Sequence, residues 1–237
     1  TLFRSYSHGF THIMGWATNA DNTKSADIVV LIDEKRNIHG IGELIYDRPD
    51  VVSEFHNENL SKSGWKIIIP YHIKKFQVLS CQFAEKTGII INCGKRFELR
   101  EKIIHVNISD LLFNDISQEY QNIDDERWYQ LILASLNGKY IGKCKFPGFA
   151  SDIIQQNYTG RSGKATLNQA FEFYKEVKNI LRTNNISINS STIICDFGCG
   201  WGRISRFFLK DIPEKNIFGL DCTSEAVEIC KETYKNL

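Results

Sequence analysis

The chain has 237 residues, 42% of them hydrophobic and 24% charged, which is the composition of a globular protein and excludes a largely disordered one. A net charge of +1 at pH 7 gives no overall attraction to nucleic acid or to an anionic membrane, so we expect neither as a partner. No apolar run approaches the ~18 residues of a membrane span. The seven scattered cysteines contain no C-x-x-C pair, which predicts reduced thiols, no metal site and a cytoplasmic location.

Residues 1–115 have the pattern of short strands and turns, without helical spacing. Arg48-Pro49-Asp50 interrupts this pattern as a turn. Short strands at such intervals predict an antiparallel β-sandwich-like domain, with a small barrel as the alternative. The predicted strands are 26–33, 38–46, 64–70, 76–83 and 88–92.

This β-rich segment also resembles a module of bacterial proteins that build cell-surface polysaccharide. The resemblance is carried by Gly15-Trp16-Ala17, residues 27–33, Arg48-Pro49-Asp50-Val51 and Gly64-Trp65. It implies a bacterial protein whose first module docks to a partner or binds a glycan. A plain β domain in which Trp16 and Trp65 are core residues remains the alternative.

Residues 116–165 are expected to form a helical linker. A helix is predicted over 124–136, ended by Asn137-Gly138. The polar, glycine-containing run 155–163 is typical of a functional loop, although a linker needs no ligand. Thr166 and Gln169 form a capping box, which predicts the start of an amphipathic helix at residue 166.

A strand, a glycine-rich turn and a helix are predicted over residues 192–208. Residues 192–194 are β-branched and suit a strand that is covered on both faces. Gly198, Gly200 and Gly202 follow, and an apolar stripe typical of a helix comes after them. Such a unit directs unpaired backbone N–H groups and the positive end of a helix at a ligand. The pattern therefore predicts a site for a nucleotide-type cofactor.

The residues around the glycines narrow the choice of cofactor. The spacing is G-x-G-x-G, and Arg203 occupies the position of the third glycine in the dinucleotide fingerprint. Asp196 precedes the first glycine by two residues, where an acid would repel a pyrophosphate but suit a sulfonium or ammonium centre. Asp221 ends the next predicted strand, 19 positions after Gly202, close to the offset of about 20 at which an acid binds ribose hydroxyls.

Asp196 to Arg203, followed by Gly219-Leu220-Asp221, closely resembles the class I S-adenosylmethionine-dependent methyltransferases. The resemblance implies an α/β Rossmann-like fold in which Asp196 holds the methionine end of S-adenosyl-L-methionine and Asp221 binds its ribose. It also implies that the helix before the first strand covers the cofactor cleft. The remaining implied contacts are Phe197, Gly198, Cys199 and Gly200, which curl round the cofactor, Cys222, which borders the adenine, and the candidate lid residues Tyr158, Thr159 and Arg161.

Residues 166–237 are therefore interpreted as the N-terminal half of such a domain, with its first two strands. We expect the sequence to be part of a longer protein and this fragment alone to be inactive. The expected reaction is methyl transfer to a small-molecule or saccharide acceptor, and no catalytic residue is assigned. Two alternatives stay open: a nicotinamide-dependent Rossmann oxidoreductase, and a non-catalytic adaptor that binds glycan or protein.

Overall fold

The computed structural model describes residues 3–7, 9–19, 21–35, 37–84, 88–92 and 115–234. The chain forms two compact units. The first unit comprises Thr1–Phe113 and Tyr140–Cys144, and the second comprises Asn114–Lys139 and Lys145–Leu237.

The first unit is built on an antiparallel sheet of seven strands in the order β1-β2-β5-β4-β3-β6-β7. The expected hairpins β3–β4 and β6–β7 are confirmed, and every pair in the sheet is antiparallel. These seven strands belong to one continuous sheet, so the finer prediction of a sandwich of two sheets is not confirmed. The strands are β1 Phe3–Ser7, β2 Phe10–Trp16, β3 Ile28–Ile32, β4 Ile38–Tyr46, β5 Gly64–Ile69, β6 Gln77–Ala84 and β7 Gly88–Asn92.

The sheet curls so that side chains from β3 and β5 meet over β4. A Cβ atom at Gly42 would lie 2.9 Å from side-chain atoms of both Ile67 and Val29, so only glycine leaves room for this contact. All five residues of β3 are buried, because alternate side chains enter two different apolar clusters. Trp65 belongs to the first of these clusters, and Trp16 packs edge-on against Phe55.

One part of the first unit contradicts the prediction of strands and turns alone. Pro49–Phe55 forms a helix, α1, where a turn was expected at Arg48-Pro49-Asp50. Proline suits the first turn of a helix because its missing N–H would have no partner there. Val51 anchors the helix in the core, and His56 ends it in the left-handed conformation with φ +50°. A short two-stranded sheet pairs β8 Tyr140–Ile141 with β9 Cys144–Lys145.

The second unit holds the remaining described α-helices and a pair of parallel strands. The predicted helix over 124–136 is confirmed as α3, and its Asp124 side chain accepts the N–H of Arg127 at 2.7 Å as an N-cap. The helices are α2 Ile116–Tyr120, α3 Asp125–Ala134, α4 Asp152–Thr159, α5 Gly163–Thr183, α6 Ser205–Phe208 and α7 Ser224–Thr233, and the strands are β10 Ile194–Phe197 and β11 Ile217–Leu220.

Two expectations for the segment before β10 were wrong. Residues 155–159 of the expected loop 155–163 are helical, because Ser151 caps the start of α4 and Gly160 ends it at φ +71°. Helix α5 begins at Gly163 instead of Thr166. Thr166 is buried inside α5, and its hydroxyl lies 3.0 Å from the hydroxyl of Thr159.

An aromatic and ionic core fixes α6 on α3 and α5. The Tyr129 and Phe171 rings stack with centroids 4.5 Å apart, and the Trp128 indole donates to the Phe207 carbonyl at 2.8 Å. Lys210, which is 3% exposed, lies 2.7 Å from Asp211. The same network contains the buried Tyr174 and the partly exposed Asp125 and Lys178.

Strands β10 and β11 run parallel with Ile194 opposite Ile217 and Phe197 opposite Leu220. Their carboxyl ends therefore meet at one edge of the pair. The prediction of a first strand covered on both faces was wrong, since Ile193 is 68% exposed and Phe197 89% exposed in the part of the chain that the structure describes. In that part, no helix has both the length and the apolar character that crossing a bilayer requires.

Candidate functional site

The candidate site lies where β10 and β11 end. Residues 198–202, here called the glycine loop, connect β10 to the turn that enters α6. Gly198, Gly200 and Gly202 have φ values of +80°, +53° and +74°, which side-chain-bearing residues adopt at a cost. The three glycines are therefore required by the backbone path of the loop.

Four amide groups of the glycine loop are hydrogen-bonded within the protein. Gly198 and Cys199 both donate to the Leu220 carbonyl, at 2.7 and 3.1 Å. Gly200 donates to Asp221 Oδ2 at 3.0 Å, and Gly202 donates to the Cys199 carbonyl at 2.8 Å. For these four amides the expectation of unpaired N–H groups directed at a ligand was wrong, because Leu220, Asp221 and Cys199 accept them.

The two predicted carboxylates flank this loop. Asp196 Oδ2 accepts the Ser205 hydroxyl at 2.6 Å. Asp221 accepts the N–H of Gly200 and, through Oδ1, that of Thr223 at 3.1 Å. The Gly200 N–H makes the largest contribution to lowering the pKa of Asp221, so this carboxylate is ionised at neutral pH.

The charges of both carboxylates act on the buried Cys199 thiol. Burial, followed by the neighbouring Cys230 thiol and the charges of Asp196 and Asp221, raises the pKa of this thiol to about 12. Cys199 fits because β11 has a glycine opposite it: a Cβ at Gly219 would lie 2.9 Å from the sulfur. The carboxylates thus share one electrostatic environment around the loop.

The other predicted cofactor contacts are more exposed. Phe197 and Cys222 face solvent at the ends of β10 and β11. Arg203, which stands at the position of the third glycine of the dinucleotide fingerprint, directs its side chain to α5. Its guanidinium donates to the Thr166 carbonyl at 3.3 Å and to Gln169 Oε1 at 3.0 Å, which ties the loop to α5.

Of the three candidate lid residues, Tyr158 lies against the glycine loop. Its ring is 3.4 Å from the position that a Cβ at Gly200 would occupy, and its side chain is 43% exposed. The Thr159 hydroxyl is engaged with the carbonyls of Gln155 and Arg161, and Arg161 itself is exposed. The structure therefore brings Tyr158 to the loop without the other two side chains.

Residues that the sequence analysis missed hold the loop from behind. Tyr234 donates its hydroxyl to the Gly202 carbonyl at 2.6 Å, and its ring fills the space beside the α-carbon of Gly202. The Arg206 guanidinium is fully buried next to Trp201. Arg206 lies outside the apolar spacing of Ile204, Phe207 and Phe208 that predicts its helix, so the sequence pattern does not indicate its role.

A cavity of about 450 Å³ opens behind the loop, between α6, α7 and β11. Burial, with a smaller contribution from the charge of Asp115, raises the pKa of Glu214 at the cavity wall to about 8. Asp196 and Asp221 do not line this cavity, whereas the predicted cofactor contact Cys199 does. Among the described residues, no three histidine, cysteine or acidic side chains form a group that could hold a metal ion.

Comparisons with known proteins bear on the same segment. Residues 177–237 match the family model described as Methyltransferase small domain. The "Putative methyltransferase 235L" of Invertebrate iridescent virus 6 is 31% identical over 64 residues, which is 27% of this chain and 23% of that protein. The chain therefore spans less than a quarter of the length of this relative. No solved structure matches the chain.

The family match contains the glycine loop and both carboxylates. These similarities support a methyltransferase for the C-terminal part of the chain. The family match does not extend to the first unit, so the resemblance of that unit to polysaccharide-building proteins is not confirmed.

Proposed function

We propose that the second unit binds S-adenosyl-L-methionine at the edge of β10 and β11, and that it is part of a class I methyltransferase with a Rossmann-like fold. The methyl acceptor in this proposal is a small molecule or a saccharide. The assignment of a saccharide acceptor depends only on the resemblance of the first unit to polysaccharide-building proteins. The assignment of the cofactor depends on the geometry of the second unit and on the family match at residues 177–237.

The observation that most supports this proposal is the hydrogen bond from the Gly200 amide to the Asp221 carboxylate. In a dinucleotide site, the amides of the loop bind the pyrophosphate. Here Asp221 Oδ2 already occupies the Gly200 N–H at 3.0 Å. A phosphate oxygen that approached this amide would meet the ionised Asp221 carboxylate, and the two like charges would repel each other. This argues against the nicotinamide alternative.

The same charges favour a cationic ligand. Asp196 immediately precedes the segment that enters the loop, and Asp221 accepts the Gly200 N–H of the loop, so both carboxylates lie beside it. S-adenosyl-L-methionine carries a sulfonium and an ammonium group, which two carboxylates attract, and its ribose hydroxyls can donate to an ionised acid. The two hydrogen-bond-accepting carboxylates of the site therefore fit this cofactor.

The residues take the following proposed roles. Asp196 binds the methionine end, Asp221 binds the ribose, and Cys222 borders the adenine. The backbone of Phe197, Gly198, Cys199 and Gly200 curls round the cofactor. Tyr158 covers it from α4, which excludes water from the site. When bound, the cofactor supplies a methyl group on a positively charged sulfur for in-line displacement, and the chain orients it and keeps its surroundings dry.

A thermal-shift comparison tests the proposal. S-adenosylhomocysteine at about 100 times its dissociation constant should stabilise the second unit by about 2.7 kcal/mol, whereas NADH should leave it unchanged. Asp196→Asn and Asp221→Asn should each remove the shift. Glu172→Gln, an exposed change on α5, is the matched control and should keep it. Stabilisation by NADH alone, or by neither ligand, would contradict the proposal.

A further inference from the structure

Arg206 carries a buried positive charge behind the glycine loop. Its side chain is 1% exposed. One of its terminal nitrogens donates to the Gly148 carbonyl at 2.9 Å, while its Nε has no hydrogen-bond partner in the described part of the chain. None of the ion pairs found among the described residues includes it.

Such an arrangement is costly. A buried ion without an opposite charge is strongly destabilising, and an apolar side chain of similar volume would often be more favourable at the same place. Burial lowers the pKa of Arg206 to about 10, which still leaves the guanidinium charged at neutral pH. A cation retained in this position therefore calls for an explanation other than packing.

Aromatic rings take the place of a carboxylate around the charge. The guanidinium carbon lies 4.2 Å from the centroid of Phe149, 4.7 Å from that of Trp201 and 6.0 Å from that of Tyr234. Distances of this size give favourable cation–π interactions, which strengthen when water is excluded. The charge thus fixes the positions of three rings that come from three separate parts of the chain.

These rings are connected to the glycine loop by hydrogen bonds. Trp201 is itself a loop residue, and its carbonyl accepts the Thr233 hydroxyl at 3.1 Å. Tyr234 donates to the Gly202 carbonyl at 2.6 Å. The Thr233 carbonyl accepts the N–H of Gly148 at 2.6 Å, which closes the circle at the residue that Arg206 binds.

We propose that Arg206 is a positioning residue for the cofactor site, one that holds Trp201 and Gly202 from behind and thereby fixes the glycine loop. It acts through the loop and contacts neither proposed cofactor-binding carboxylate. A correctly oriented loop maintains the hydrogen bond from the Gly200 amide to Asp221 and the positions of both carboxylates beside the loop. The inference rests on the proposed function only for the identity of the ligand that the loop binds.

Two substitutions separate the charge from the packing. Arg206→Met removes the cation and keeps most of the volume, whereas Arg206→Lys keeps a cation but loses the planar group that stacks on the rings. Leu209→Ala is the matched control, because Leu209 is 2% exposed and its truncation destabilises the same region while it keeps Arg206 and all three rings in the sequence. Phe149→Leu removes one ring and leaves the arginine in place.

The first readout needs no ligand. Hydrogen–deuterium exchange of the amides in 198–202 should accelerate about tenfold or more in Arg206→Met, given the strength of buried cation–π contacts. The acceleration should be smaller in Arg206→Lys and Phe149→Leu. Leu209→Ala should accelerate exchange only as far as its loss of global stability requires. Equal effects in Arg206→Met and Leu209→Ala at matched stability would overturn the proposal.

The second readout is the dissociation constant of S-adenosylhomocysteine. Arg206→Met should weaken binding about tenfold, and Arg206→Lys should recover part of the loss. Unchanged affinity in a folded Arg206→Met protein would overturn the proposal. If Arg206→Met does not fold, Phe149→Leu takes its place: faster exchange of 198–202 with weaker binding supports the proposal, and unchanged exchange and affinity would overturn it. If the unmodified protein does not bind the ligand, the proposed function fails, whereas loop exchange still decides the role of Arg206.

Discussion

Gly198 and Gly202 form a natural pair for testing how the loop is held. Both have a left-handed backbone, with φ +80° and +74°. A Cβ at Gly198 would meet no atom within 4 Å, whereas a Cβ at Gly202 would lie 2.1 Å from a ring carbon of Tyr234. Alanine therefore introduces the same backbone strain at both positions but a severe clash at only one of them.

The magnitudes follow from this difference. Alanine in the left-handed region costs about 1–2 kcal/mol, which is the whole effect expected for Gly198→Ala. In Gly202→Ala the Tyr234 ring must also move, which adds overpacking of about 1–3 kcal/mol and the loss of a hydrogen bond worth about 1 kcal/mol. We expect about 3–6 kcal/mol in total for Gly202→Ala, a large part of the stability of an ordinary domain.

Urea denaturation followed by helical circular dichroism measures the effect, because all the described α-helices other than α1 lie in the second unit. The midpoint should fall much further for Gly202→Ala than for Gly198→Ala. Tyr234→Leu in the Gly202→Ala background should recover part of the loss by making room. Equal destabilisation by the two glycine substitutions would refute the claim that Tyr234 supports the loop from behind.

Four further substitutions test the electrostatics of the second unit. Lys210→Met should cost about 1.5–3 kcal/mol of unfolding free energy, because it removes charge-assisted hydrogen bonds to Asp125 and Asp211, which keep Lys178 as a second cation. Lys231→Met, at an exposed ion pair, should cost under about 1 kcal/mol; similar losses would contradict this. Because burial raises the pKa of Glu214 from 4.5 to about 8, the protein should lose stability relative to Glu214→Gln as the pH rises from 4.5 to 8. Asp221 has a lowered pKa, so its stabilisation relative to Asp221→Asn should be present above pH 4 and disappear on acidification. Denaturation curves across pH with either sign reversed would refute the respective assignment.

Local sequence signals predicted much of the candidate site. Each of the two acids follows a predicted strand, and Asp221 has the expected offset from the glycines. These two signals predicted both carboxylates at the ends of neighbouring strands. Parallel pairing of β10 with β11 then brings Asp196 opposite Gly219, two residues before Asp221. Hairpins such as β3–β4 were predictable for the same reason, since turn and strands are adjacent in the chain.

Contacts between distant segments could not be predicted in this way. The Gly200 amide is satisfied by a side chain 21 residues away, and Arg206 finds its acceptor 58 residues earlier. A glycine pattern reveals where the backbone can turn but not whether its amides are free. The start of α5 was misplaced because Thr166 and Gln169 fit a capping box, although the helix already begins at Gly163, after Ser162.

The prediction of a buried first strand failed for a related reason. β-Branched residues indicate a strand, but they do not specify how many neighbours cover it. Among the described residues β10 pairs with β11 alone, and Phe218 and Leu220 are 53% and 54% exposed on the neighbouring strand. Burial depends on the elements packed against a strand, which its own residues do not encode.

Equilibrium dialysis with radiolabelled S-adenosyl-L-methionine tests the central claim most directly. The unmodified protein should bind the cofactor, Asp221→Ala should abolish that binding, and Glu172→Ala, an exposed change on α5, should leave it intact. Circular dichroism of each variant confirms that the fold is retained. Undiminished binding by a folded Asp221→Ala protein would contradict the assignment of this carboxylate to the cofactor.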